Sequence, residues 1–331
     1  MKRFKHAWTY LYTTILVSFT LFVLLDTFVI AKVYTVVPTQ TNQTAITDTA
    51  ATAQATEQGD SSSESTPSAS ASGTNDAGQT SSDVTQTAIA TEDSYTDENI
   101  SITLTEYREY DTTIYVADVQ VSSPEYLKTA FAQSAYGQNI TEKTSQMASA
   151  QNAILAINGD FYGSQRSGYV LRNGVLYRES SSGGQEDLVI GADGSFSIAT
   201  ESDTTAASLL EAGAQQVLSF GPALVENGEV SVTTDDEVGR AKASNPRTAI
   251  GVAGDLHYYF VVSDGRTSES QGLSLYQLAE FMQTLGVETA YNLDGGGSST
   301  MYFNGEVVNN PTTNGQSIQE RSVSDIVYIG Y

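Results

Sequence analysis

Cysteine is absent from the 331 residues, so no disulfide stiffens the fold, and thiol nucleophiles and thiolate metal sites are ruled out. Histidine is nearly absent. Of the two present, His6 lies in the basic N-terminal tip, which leaves His257 alone for the rest of the chain. A multi-histidine zinc site is thereby excluded. A Ser-His-Asp triad would rest on His257, which sits among Tyr258, Tyr259 and Phe260 and reads as a packed strand histidine. Basic residues are also scarce, with 15 Lys and Arg against 39 Asp and Glu and a formal charge of −24. Phosphate backbones are bound by surplus Lys and Arg, so nucleic acid is not an expected partner; acidity of this kind serves solubility. From Pro38 to Asn99, Lys and Arg vanish, as does nearly everything that could fill a core.

What is present begins with the N-terminus. Lys2, Arg3, Lys5 and His6 precede an apolar run from Trp8 to Leu25, close to the roughly 20 residues that cross a bilayer. The basic flank predicts a cytoplasmic tip, with everything after the run outside. A cleaved signal peptide is the competing reading, but its apolar core would be only about 7–15 residues long. Here the run is longer, and no Ala-x-Ala site follows it. Asp26, near the outer end, is placed to reach water. Residues 1–37 therefore read as a basic tip and membrane anchor, predicting a single-pass protein of the cell membrane with its C-terminal domain extracellular. Residues 38–99, dominated by Ser, Thr and Ala, read as a disordered linker, because burial cannot offset their ordering entropy. A flexible coil of roughly 60 residues reaches about 40–50 Å.

Residues 100–331 change character, with short apolar stretches punctuated by Asn-Gly and Asp-Gly at 173–174, 193–194, 227–228 and 304–305. Tyr169–Leu171 with Val175–Tyr177, and Leu188–Ile190 with Phe196–Ile198, read as hairpins. A helix is expected from about Thr141 to Gln151, feeding an apolar strand at Ala153–Ile157. Another begins at Ser274, with Gln277 completing a capping box, and stops at Gly286. The prediction is one α+β domain with a mixed, largely antiparallel sheet and a few packed helices.

With thiols and clustered imidazoles excluded, the chemistry must come from carboxylates, arginines, hydroxyls and backbone amides. These are the tools of glycosidic chemistry and anion binding. The richest run is Asn292-Leu293-Asp294-Gly295-Gly296-Gly297-Ser298-Ser299-Thr300. Its glycines permit positive φ and amides converging on an anion, and Asp294 at the strand exit can serve as base, nucleophile or cation ligand. A plain structural loop is an equal reading of the same residues. It lacks the lysine and spacing of a P-loop. Asn158-Gly159-Asp160, Asn245-Pro246-Arg247-Thr248 and Asp264-Gly265-Arg266 repeat the pattern of an apolar strand running into polar residues. If one sheet carries them, the four sets can converge.

These motifs, with Gly221-Pro222 and Arg321-Ser322-Val323-Ser324-Asp325, occur in an order that resembles the phosphodiester glycosidase family over roughly residues 100–331. The resemblance implies hydrolysis between a sugar's anomeric carbon and a phosphodiester oxygen. It implies Asp294, then Asp160, as the carboxylate that stabilises the anomeric centre or activates water. Arg247, Arg266 and Arg321 would hold the departing phosphate. Asn158, Asn245, Asp264, Asn292, Gly295, Gly296, Gly297, Ser298 and Ser299 would line the substrate. No cofactor is required; a divalent cation on Asp160, Asp264 or Asp294 would serve the same end as the arginines. Location suggests a phosphate-containing envelope glycan or teichoic-acid-like polymer as substrate. A non-catalytic binder of wall polymer, an exopolysaccharide assembly factor and a phosphodiesterase cleaving P–O remain open as alternatives. An anionic substrate must avoid an acidic surface, so the reading requires the few arginines to gather at one cleft.

Overall fold

The computed structural model describes residues 2–35, 88–236 and 244–331, and most of the stretch expected to be a disordered linker lies outside them. An apolar helix α1 (Lys2–Phe28) is followed by the two-residue strand β1 (Lys32–Val33). The next elements are β2 (Ile89–Ala90), β3 (Ser94–Thr96), β4 (Ile100–Glu109), β5 (Thr112–Val121), β6 (Leu127–Phe131) and β7 (Gly137–Gln138), then α2 (Thr144–Ala150) and β8 (Leu155–Asn158). Four strands follow: β9 (Val170–Arg172), β10 (Val175–Arg178), β11 (Glu186–Gly191) and β12 (Phe196–Thr200). After α3 (Ala206–Glu211) come β13 (Ala214–Leu218), β14 (Ala223–Glu226), β15 (Glu229–Val230), β16 (Arg247–Gly254) and β17 (His257–Ser263). The chain ends with α4 (Leu275–Thr284), β18 (Thr289–Leu293), β19 (Met301–Phe303), β20 (Glu306–Val307) and β21 (Asp325–Ile329).

Three large sheets form, in the orders β15-β14-β18-β16-β17-β5-β4-β3-β2, β20-β19-β8-β21-β6 and β10-β9-β13-β11-β12. The described pairings are all antiparallel, including those at the centre of each sheet. The α+β class holds, with antiparallel sheets and a few packed helices. The Asn-Gly loops make two-residue hairpins joining β9 to β10, β14 to β15 and β19 to β20. Asn173, Asn227 and Asn304 take positive φ beside their glycines, as a turn matched to strand twist requires.

The sheets share one core because their inner faces alternate apolar side chains. Tyr115, Ala117 and Val119 meet Leu155 and Ile157 of the second sheet and Leu188 and Ile190 of the third. On β5, Ile114 and Val116 point the other way and pack under Leu278, Phe281 and Met282 of α4. In the same manner α2 covers the second sheet through Met147 and Ala148, and α3 the third through Ala206 and Leu210. The capping box of α4 is present, with Gln277 N donating to Ser274 Oγ and Ser274 N to Gln277 Oε1. The α2 helix is shorter than its expected span, starting at Thr144, because Glu142 is held extended against Val323.

Two differences concern the ends. Strands β2 and β3 fall within the residues expected to be disordered, so order begins before Ile100. Tyr95 packs on the core, and Asp97 Oδ1 accepts the Asn99 and Ile100 amides at 2.8 Å each. Near the N-terminus, β1 pairs with β7 in register Lys32 to Gln138 and Val33 to Gly137. Asn139 Nδ2 donates to the carbonyls of Thr27 and Ile30. The end of α1 is thus clipped to the domain. Trp8–Phe28 within α1 is the helix, among the described residues, that is long and apolar enough to cross a membrane.

Candidate active site

Strand register brings the polar strand ends together. At its start β16 lies between the ends of its neighbours, Arg247 opposite Ser263 of β17 and Thr248 opposite Leu293 of β18. Asn158, fully buried at the end of β8, ties this point to the second sheet. Its Nδ2 donates to the Asp294 carbonyl at 2.6 Å, and its Oδ1 accepts from Thr248 Oγ1 at 2.9 Å and Thr300 N at 3.2 Å. Asp294 N donates in turn to the Gly159 carbonyl. Buried polar groups must be paired, and here the pairing makes three distant segments one unit.

The turn at 294–298 is where the arginines meet. Gly296 has φ +64°, and a Cβ added there would come within 2.8 Å of Arg266 Nη2. A Cβ at Gly295 would lie 3.0 Å from the Pro246 carbonyl and 3.9 Å from Arg247 Cδ. A side chain at 296 would press on the Arg266 guanidinium from a positive-φ backbone, and one at 295 would crowd the Pro246 carbonyl, which is the physical demand for glycine. Arg266 is held by Asn245 Oδ1 at 2.9 Å and the Thr313 carbonyl at 2.6 Å. Arg247 Nε donates to the Leu273 carbonyl at 2.8 Å. Arg321 reaches the other side of the turn, donating to Ser298 Oγ through Nε and Nη2, and to Asp294 Oδ2 at 3.2 Å. Part of the turn's amide set is spent on backbone carbonyls. The amides of Gly296, Ser298 and Ser299 donate to the carbonyls of Pro246, Gly295 and Gly296.

Asp294 keeps 17% of its side-chain surface and Arg321 44%, so this pair faces solvent. Burial pushes the Asp294 carboxyl above its usual range, the Ser298 hydroxyl and Arg321 oppose that rise, and the charge of Asp160 adds to it. A cavity of about 520 Å³ opens beside Arg247, lined also by Gln185, Glu186, Phe220, Gly221 and Asn292. Asn292 donates to the Gly221 carbonyl at 2.7 Å, while its buried Oδ1 has no partner among the described residues.

Two expected site carboxylates are committed elsewhere. Asp160 is buried, and its Oδ2 accepts from Arg172 Nη2 at 2.8 Å and Ser219 N at 2.9 Å, its Oδ1 from Tyr162 N at 2.9 Å. Asp264 anchors the loop after β20, accepting from Asn309 Nδ2 and from the amide and Nδ2 of Asn310. Among the described residues no three His, Cys, Asp or Glu side chains are grouped to hold one metal ion. Ser299 is buried, its Oγ without a partner among the described residues. Gly297 packs against Thr313. His257, half-buried on its strand, pairs with Asp118 at 2.7 Å.

Sequence reasoning missed Arg172, which is 2% exposed and bridges Asp160 and Asp325 at 2.8 Å each. Its position before an Asn-Gly turn marks a hairpin and conceals the ion pair. It also missed Asp187, whose two carboxylate oxygens are buried without a well-formed hydrogen bond among the described residues. Burial pushes that carboxyl up to about 8, with the charges of Glu201 and Asp160 contributing.

Residues 151–330 match the family described as phosphodiester glycosidase. Over 201 residues the chain is 28% identical to the SPbeta prophage-derived uncharacterized protein YomE of Bacillus subtilis (strain 168), covering 59% of this chain and 31% of that protein. Over 203 residues it is 31% identical to human N-acetylglucosamine-1-phosphodiester alpha-N-acetylglucosaminidase, covering 56% of this chain and 39% of that enzyme. The matched region thus spans well under half of either relative. Among solved structures, the catalytic domain of the zebrafish enzyme of that name, auto-inhibited by its pro-peptide, has the same fold at a TM-score of 0.57 and 21% identity. That likeness covers 70% of this chain and 83% of the zebrafish chain.

Proposed function

The chain belongs to the phosphodiester glycosidase family, and from that premise we propose that it hydrolyses a sugar-1-phosphodiester of a cell-envelope glycan, from a membrane anchor. The observation that carries this reading is the gathering of Arg247, Arg266 and Arg321 around residues 294–298. In a chain with 15 basic and 39 acidic residues, the guanidiniums of Arg266 and Arg321 on one turn, with the Arg247 side chain beside it, make a local anion site against the overall field.

In the proposed reaction water attacks the anomeric carbon, the bond from that carbon to the phosphodiester oxygen breaks, and the phosphate departs with the bonding electrons. A phosphate monoester is a good leaving group, so guanidiniums that hold its oxygens matter more than a strong general acid. Asp294 takes the proton from water or stabilises the cationic anomeric centre. Arg321 and Ser298 fix its orientation and oppose the rise in pKa that burial imposes. Asn292 and Arg247 line the adjacent cavity, where a sugar ring finds an acceptor, a donor and the Phe220 face.

Anchoring is supported by Trp8–Phe28, 21 residues of mean hydropathy 1.8, behind Lys2, Arg3 and Lys5. That charge asymmetry predicts an outward-facing domain. Turnover of an N-acetylglucosamine-1-phosphodiester in oxygen-18 water tests the chemistry. Label in the released sugar is expected, and label in the phosphate would overturn the reading in favour of P–O cleavage.

A further inference from the structure

A second cavity, of about 340 Å³, lies where the chain leaves α1. It is lined by Tyr34, Tyr136, Gln138, Gln165, Arg166 and Arg178, none of which belongs to the site around Asp294. Its level is set by two contacts with the end of the apolar span: Arg166 Nη2 donates to Thr27 Oγ1 at 3.5 Å, and Asn139 Nδ2 to the Ile30 carbonyl at 3.0 Å. Tyr34 N pairs with the Tyr136 carbonyl, and the two rings stand 5.8 Å apart.

Neither arginine makes an ion pair among the described residues. Arg178 spends Nε and Nη1 on the carbonyls of Gly168, Tyr162 and Gln165. Burial lowers its pKa, so its charge is not fully compensated. The neighbouring Glu201 is already engaged, accepting the amides of Tyr169 and Ser182. Two under-compensated guanidiniums and two tyrosines therefore sit beside the outer end of a membrane helix, on a chain whose charge of −24 repels an anionic surface.

Resting on the membrane-anchored reading above, we propose that this cavity holds the headgroup phosphate of an anionic phospholipid of the outer leaflet. Guanidinium pairs phosphate oxygens bidentately, and tyrosine favours the headgroup level. A lipid seated there reverses the local repulsion and holds the domain at one orientation to the bilayer.

The test uses the full chain in nanodiscs of phosphatidylcholine with phosphatidylglycerol, followed by native mass spectrometry of the lipids retained. Wild type retains phosphatidylglycerol preferentially. Arg166→Glu, at an exposed position, reverses one charge and lowers that retention about tenfold, as the loss of one to two kcal/mol of surface attraction requires. Arg178→Lys, which keeps the charge and loses the fork, lowers it less. Hydrolysis of a soluble sugar phosphodiester is unchanged in Arg166→Glu, since that residue is outside the active site. Retention unaltered by Arg166→Glu, equal retention of phosphatidylcholine, or displacement of the lipid by soluble glycerol phosphate would overturn the proposal. Flotation with vesicles under alkaline carbonate separates the two readings. A chain that floats without selective lipid loses only the cavity proposal, whereas one that does not float loses the anchor as well.

Discussion

Two aspartates stand at the exits of central strands, Asp160 after β8 and Asp294 after β18, and their surroundings differ in almost every respect. Asp160 is 1% exposed and closed in an ion pair with Arg172, which also grips Asp325. Asp294 meets a half-exposed arginine and a serine and keeps part of its own side-chain surface open to solvent. The first cluster spends its charges on itself and joins the third sheet to the second. The second leaves its charges facing solvent. A carboxylate becomes available for chemistry through what is left unspent around it, more than through its place at a strand end.

The largest expected effect separates the two directly. Asp294→Asn is isosteric and leaves the fold, yet kcat falls by about a thousandfold or more, as loss of a reacting group does. Thermal melting alongside steady-state kinetics checks it, and an active Asp294→Asn protein would break the comparison. Arg172→Met strands two buried carboxylates and costs about 3–5 kcal/mol of stability, measured by urea unfolding, with turnover per folded molecule largely kept. A stable but inactive Arg172→Met would move that cluster into the chemistry.

Removing Arg321 has an intermediate effect. Arg321→Ala should lower kcat/KM by roughly a hundredfold. Because Arg321 favours the ionised form of Asp294, its loss raises that pKa further and shifts the acid limb of the pH–rate profile to higher pH; an unmoved limb would separate the pair.

The smallest effect concerns Asp187. Its folded pKa of about 8 lies above the unfolded value of about 4, so the folded state binds the extra proton and stability falls as pH rises between them. Asp187→Asn therefore raises Tm at pH 8 by several degrees, at roughly 2–4 °C per kcal/mol for a domain of this size, with little gain near pH 4. A pH-independent difference between the two proteins would remove Asp187 as the source.

How much of this was legible in the sequence depends on whether the interacting residues are near neighbours. Asn-Gly turns and the Ser274 capping box act within a few residues, so the hairpins and α4 could be read directly. The polar strand ends were legible as candidates, since apolar runs end visibly. The partners of those ends were not. Arg172 finds Asp325 across 153 positions, and nothing local distinguishes Asp160, which it neutralises, from Asp294. Asp264 reads as a site residue for the same reason, although its work is to hold Asn309 and Asn310.

The pairing of Lys32–Val33 with Gly137–Gln138 bears on the division of labour between enzyme and substrate. A domain on a long line could search a thick layer for its bond. One stapled directly after Val29 to Ala31 pivots on a stub, and its cleft sweeps only a shallow zone. In the proposed anchored state the glycan must then do the travelling, so the molecules it meets are those passing close to the membrane face.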